Sequence, residues 1–391
     1  MRKILLEVLL SLFLVSCGVN ASMSVSDSAD SDTPFFYEQQ LYAPGDYQSQ
    51  YWRIPAIAAL PDGSLLVVND KRKFNEGDLP SDIDIVARRS EDCGRTWSHP
   101  VTLAKGTGVK HGFGDPAIVV ADDYVLCAFV GGNGLWASTV SDPIRSYVSG
   151  SSDGGLTWSS AVDITSQLWG ESATNPECRH YKASFFASGN GLILTRGNHA
   201  GRILFVAAMC RDTVNVLDNF VVYSDDHGQT WQVSSKAFTG GDEAKLVELV
   251  DGRILLSVRQ HGARGYNISS DGGSTWGIQG EWPEMTTNAC NGDIIRYAAV
   301  DRGDSCNILL HSITNSMSRE NVSVFVSYDE GRTWQDPVSL YRGPSVYSSL
   351  TVLSDGTIAA FIEKNPHGPC ELWFQHFSFK WLLSQMHATD R

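Results

Sequence analysis

Five copies of one eight-residue pattern, Ser-x-Asp-x-Gly-x-Thr-Trp, limit what this chain can fold into. They begin at Ser90, Ser151, Ser224, Ser269 and Ser327 and end at Trp97, Trp158, Trp231, Trp276 and Trp334. The starting serines lie 61, 73, 45 and 58 residues apart, so each copy marks a supersecondary unit of about four strands. The pattern's physics is local. The aspartate accepts hydrogen bonds from backbone N–H groups in a turn, and the glycine takes backbone angles that other residues avoid. The tryptophan buries its ring between neighbouring units. Aspartates on five separate turns around a repeating structure cannot converge, so the pattern reads as architecture rather than as a metal or sugar site.

The segments between the repeats are short and β-prone: Ser64–Asn69, Ala117–Ala121, Arg253–Arg259 and Val322–Tyr328. Turn sequences separate them, notably Pro61-Asp62-Gly63, Asp251-Gly252 and Ser354-Asp355-Gly356. No long amphipathic helix is visible, and 36 glycines suit a turn-rich chain. The fold class is therefore all-β. A formal net charge of −14 argues against nucleic acid as a partner, since phosphate binding needs a basic face. Ten histidines form no HExxH, and no CxxC occurs, so neither a metal nor a cofactor is expected. Beyond residue 17 the cysteines lie at 93, 127, 178, 210, 290, 306 and 370, an odd number. Only Cys290 and Cys306 are close enough in sequence to consider as a pair.

Arg2 and Lys3 precede an apolar run, Ile4–Val15, broken by Glu7 and Ser11 and too short to span a bilayer. Leu14-Val15-Ser16-Cys17 resembles the lipobox of bacterial lipoproteins. The resemblance implies a signal peptide at 1–16, acylation of Cys17, and membrane contact through the lipid alone. Gly18 after the cysteine leans towards the outer membrane. Gly18–Pro34 holds five Ser and three Asp and reads as a flexible tether, leaving 35–391 for the folded domain.

The repeats themselves resemble the Asp boxes of sialidase β-propellers. At about 60 residues per unit, 35–391 gives close to six units. That implies a six-bladed propeller of four-stranded blades, with one blade lacking a recognisable box. Boxes also occur in binding propellers without activity, and the remaining resemblance runs through the chain in order. Arg53-Ile54-Pro55 resembles the Arg-Ile-Pro element of sialidases. Asp70-Lys71-Arg72 and Gly77-Asp78-Leu79-Pro80 resemble the segment with a second pocket arginine and the acid/base aspartate, which implies Arg72 and Asp78. Gly114-Asp115-Pro116 resembles the element whose aspartate lines the sugar pocket. Gly241-Asp242-Glu243 with Arg259 matches the family's glutamate and second triad arginine, and Arg319 stands where the third belongs. Gly343–Leu350 resembles the segment of the catalytic tyrosine, Tyr347. Lys71 and Lys73 beside Arg72, and Cys93 inside the first box, depart from the family pattern.

The chemistry explains these residue types. Sialic acid carries a carboxylate on its anomeric carbon, and arginine donates two parallel hydrogen bonds to a carboxylate without losing its charge. An anionic nucleophile would be repelled by that carboxylate, whereas a neutral tyrosine is not. The resemblance implies Tyr347 as nucleophile, Glu243 as its base, and Asp78 as the acid that later activates water. Trp136 reads either as a wall contacting the N-acetyl group or as blade core. A monomeric, retaining exo-sialidase acting on sialylated glycans is the expectation. A trans-sialidase, an anhydro-forming relative and a sialoglycan- or protein-binding propeller remain alternatives.

Overall fold

The structure is a computed structural model that describes residues 33–386. The lipobox, Cys17 and nearly all of the proposed tether lie outside the described residues. What is described is almost entirely antiparallel β-structure, in the strands expected from the apolar segments. Ser64–Asn69 becomes, from Leu65 on, the start of Leu65–Arg72, and Val322–Tyr328 falls, but for Tyr328, in Glu320–Ser327. The longest helix among the described residues is Phe379–Met386, which packs Leu382 against the apolar side of the last sheet. No described helix is long and apolar enough to cross a membrane.

The strands form five hydrogen-bonded sheets with a propeller-like arrangement. The first contains Tyr51–Ala59, Leu65–Arg72, Ile83–Ser90 and Val101–Ala104 in chain order. The second is built on Phe113–Val120, Val125–Gly132 and Ile144–Ser151, and the third on Tyr181–Phe186, Ile203–Arg211 and Leu217–Ser224. The fourth holds Ala244–Glu248, Ile254–Val258, His261–Ser269 and Gly280–Asn288. The fifth has seven strands, because the 15-residue strand Val338–Val352 pairs with Glu320–Ser327 through its first half and with Ile358–Lys364 through its second. The expectation of uniform four-stranded units is thus corrected at this corner: one strand passes from one array to the next without a break. The N-terminal strand Phe36–Tyr42 adds to the C-terminal strand Glu371–Phe377, from Phe36 opposite Phe377 to Tyr42 opposite Leu372. The two ends of the described chain therefore lie in one sheet.

The five repeats explain how the sheets dock. In each, the Ser hydroxyl donates to the Asp at 2.8–2.9 Å, and the Thr hydroxyl donates to the other Asp oxygen at 2.6–2.7 Å. The Gly N–H donates back to the Ser oxygen. The residue before that glycine and the glycine itself are both left-handed; Cys93 and Gly94, for example, have φ of 55° and 83°. A Cβ at the glycine would strike the preceding sheet, 2.1 Å from the Phe374 ring for Gly94 and 2.6 Å from Leu66 for Gly155. Gly228, Gly273 and Gly331 meet Leu126, Leu204 and Leu255 in the same way. Each box therefore seats its hairpin on the sheet before it, and the first box seats on the C-terminal strand. The apolar clusters at these seams are the core, and each box tryptophan joins one of them.

Candidate active site

The innermost strands carry the site, and two of them are bent in the same way. Ile54 and Asp115 are left-handed, at φ 65° and 57°, and each is followed by proline. The ladder skips at both places, between Arg53 and Ala56 and between Gly114 and Ala117. Proline cannot donate to the ladder, and a bulge re-aims the side chains beside it. A β-branched residue such as Ile54 is strained there, and such strain persists only where the surroundings enforce it. The enforcing group is Glu363: its carboxylate accepts from Ile54 N–H at 2.6 Å and from Arg53 Nε at 2.7 Å.

A cavity of about 470 Å³ gathers most of the sequence-predicted residues: Arg53, Asp78, Asp115, Glu243, Arg259, Arg319 and Tyr347 all line it. Arg72 is not in its wall. That arginine is 1% exposed and lies behind Asp78, with Nη2 at 2.7 Å from the Asp78 carboxylate and 3.0 Å from Asp70. Its remaining amine donates to the Glu76 carbonyl, so its donors are directed at protein rather than at the cavity. Asp78 itself is exposed, at the cavity mouth.

At the cavity floor the charges interlock. Nη1 of Arg259 donates both to Glu243 and, at 2.9 Å, to the Tyr347 hydroxyl, while Nε lies 3.2 Å from Asp242. Burial works against the Arg259 charge, but Glu243, Tyr347 and Asp242 outweigh it and hold the guanidinium above its usual pKa. Burial, and then the Glu243 charge, push the Tyr347 phenol well above its ordinary value, so it is neutral at working pH. Burial and the nearby Asp70 likewise raise the Asp115 carboxyl. Arg53 lies with its guanidinium carbon 5.3 Å from the centre of the Tyr347 ring. Arg319 is exposed in the cavity wall and forms no ion pair among the described residues.

Part of the lining is apolar, with Leu79, Leu135, Trp136, Phe185 and Leu217. Trp136 is 53% exposed, which makes it wall rather than core. Three carboxylates had no assigned role in the sequence reading. Glu363 sits fully buried in the strand Ile358–Lys364. Asp242 and Asp70 flank the predicted residues, and burial raises them to about 6 and about 7 respectively. The one signal for Glu363 was an acid within an otherwise apolar run.

All seven described cysteines are free, which corrects the considered Cys290–Cys306 pair. Cys290 is fully buried beside Tyr347, whereas Cys306 lies half-buried next to Ser305 at the edge of the last sheet. Among the described residues no group of His, Cys, Asp or Glu could hold a metal ion. A larger cavity, about 660 Å³, opens among the other ends of the inner strands; there Arg196 pairs with Glu248 and Asp301, and Arg296 with Glu330.

A family model described as a BNR repeat-like domain matches residues 74–360. The chain belongs to that family. Among curated proteins, this BNR repeat-like chain is 33% identical over 370 residues to a sialidase of Micromonospora viridifaciens, and 28% over 346 residues to a sialidase of Bacteroides fragilis. The alignments cover 89% and 82% of this chain but 55% and 61% of those proteins, so the chain spans little more than half their length. Its fold is similar to that of a Hadza microbial sialidase, with a TM-score of 0.76 and 24% identity over 88% of this chain and 69% of that one. A leech intramolecular trans-sialidase gives a TM-score of 0.76 at 19% identity, over 89% and 71%. At those identities the likeness is one of fold.

Proposed function

We propose that this chain is a retaining exo-sialidase, hydrolysing terminal α-ketosidically linked sialic acids of glycoproteins, glycolipids and oligosaccharides. The observation that carries the reading is the meeting of three arginines, a buried tyrosine and a glutamate in one cavity with an exposed aspartate at its mouth. The sialidase names of the relatives support it. In this reading Arg53, Arg259 and Arg319 bind the sugar carboxylate, Arg319 with a charge that is in no ion pair among the described residues. Tyr347 attacks the anomeric carbon as Glu243 takes its proton, and Asp78 protonates the leaving oxygen. Water then displaces the tyrosine with Asp78 as base, so two inversions give net retention. Arg72 holds Asp78, Asp115 meets the sugar, and the apolar wall with Trp136 faces its acyl group. No metal or cofactor enters.

The same reading takes the molecule as a six-bladed propeller, with the seven-stranded sheet counted as two blades sharing Val338–Val352. It acts as a monomer, anchored to the cell envelope by an acylated Cys17. Purified protein should release the fluorophore from a fluorogenic sialoside, with free sialic acid in the mass spectrum. An anhydro sugar or a sialylated acceptor would replace hydrolysis by the corresponding alternative, and binding without release would leave a lectin. Stable membrane attachment takes more than one acyl chain. Cys17→Ser should therefore move the protein from the detergent phase to the aqueous one, and equal partitioning of both forms would rule out the anchor.

A further inference from the structure

The peptide group joining Val346 to Tyr347 lies where its strand has no ladder partner. Pairing with Ile358–Lys364 holds at Ser345 and resumes only at Ser348. A bulge leaves such a group unpaired, and a buried backbone polar group must then find a side chain. Both of its atoms do. The Tyr347 N–H donates to Glu363 at 3.0 Å, and the Val346 carbonyl accepts from the Cys290 thiol at 3.0 Å. Cys290 is fully buried with Ile54, Val346, Tyr347 and Cys370 around it. It is itself held: the preceding Ala289 is left-handed at φ 62°, and Arg264 donates to the Cys290 carbonyl at 2.9 Å.

We propose that Cys290 is a positioning residue, whose thiol fixes the peptide ahead of Tyr347 and thereby the phenolic oxygen of the nucleophile. The proposal rests on the sialidase reading given above. A thiol is a weak donor, but here geometry matters more than strength, since a misplacement of about 1 Å at a reacting group costs on the order of 100-fold in rate. Burial raises the thiol to about 11, so the donor proton is present throughout the working range. The opposite side of the peptide is held by the carboxylate that also holds Arg53 and Ile54. Cys290 thus closes the one open side of a clamp that links the nucleophile to the first carboxylate-binding arginine.

The test compares Cys290→Ser, which keeps a donor, with Cys290→Ala and Cys290→Val, which lose it in a smaller and a similar volume. Whichever of the latter two folds serves as the donor-less form. Its kcat on a fluorogenic sialoside should fall tenfold or more with KM within threefold of wild type, and Cys290→Ser should recover kcat to within threefold. A change of packing alone would not be rescued by serine. Hydrogen exchange at the Tyr347 amide, read by mass spectrometry on the 344–350 segment, supplies a measure independent of catalysis. Exchange should be at least tenfold faster in the donor-less form and near wild type in Cys290→Ser. Equal kcat and equal exchange in all forms would overturn the clamp, as would an equal loss in serine and alanine. An inactive wild type would overturn the sialidase reading instead, while the exchange rates still decide the clamp.

Discussion

Arg259 is the residue at which the site's charges meet, because one of its nitrogens serves both Glu243 and Tyr347. That sharing keeps the proposed base and the proposed nucleophile together in the cavity while burial keeps the phenol protonated. Two substitutions separate the roles. Tyr347→Phe keeps the ring beside Arg53 and leaves the arginines in place, so a sialic-acid analogue should bind within tenfold of wild type by calorimetry. Turnover should drop by roughly two to three decades, the usual loss for a missing nucleophile or acid/base group. Arg259→Ala should weaken the analogue strongly and lower the melting temperature as well, since it leaves Glu243 buried without its partner. Near-normal turnover in Tyr347→Phe would contradict the assignment. Arg53, Arg259, Arg319 and Tyr347 were legible because a resemblance fixes them in order relative to the boxes. Glu363 was not, since its partners Arg53 and Ile54 lie 310 and 309 residues away and its own strand reads as core.

At the level of elements, the boxes behave as their composition requires. Their aspartates accept several donors each. For Asp153 the Thr157 hydroxyl is the largest influence, and the carboxyl falls to about 2. A carboxyl depressed below its unfolded value near 3.9 contributes stability that is present above that value and lost as pH falls through the folded one. Asp153→Asn should therefore lower the melting temperature at pH 6 and leave turnover intact, and the gap to wild type should close as pH drops from 4 towards 2. A gap that widens on acidification, or activity lost with an unchanged melting temperature, would contradict the structural role. Strand positions were readable from apolar runs between turn signals, as with Arg253–Arg259 and the observed Ile254–Val258. The bulges at Ile54 and Asp115 were not, because the residue before a proline ordinarily favours extended backbone. At Ile54 the left-handed turn is held by the Glu363 carboxylate, brought from far along the chain.

Across the molecule, the two ends of the described chain meet, with Phe36–Tyr42 completing the sheet of Glu371–Phe377 and Gly94 seated on Phe374. Spacing of the repeats implied six units, whereas the strands form five hydrogen-bonded sheets, and it gave no sign of the junction in the seven-stranded one. The strand continues through Gly343-Pro344, pairing Pro344 with Glu320 and Ser345 with Lys364. That continuity carries the bulge holding Tyr347, so the corner that spacing missed is the one that positions the proposed nucleophile. The net outcome of the reaction therefore tests fold and chemistry together. Proton NMR of a sialoside digest, recorded before mutarotation, reads the anomer released by wild-type protein. Attack by Tyr347 followed by water should give the α-anomer first, whereas an initial β-anomer would mean a single inversion and no tyrosine intermediate.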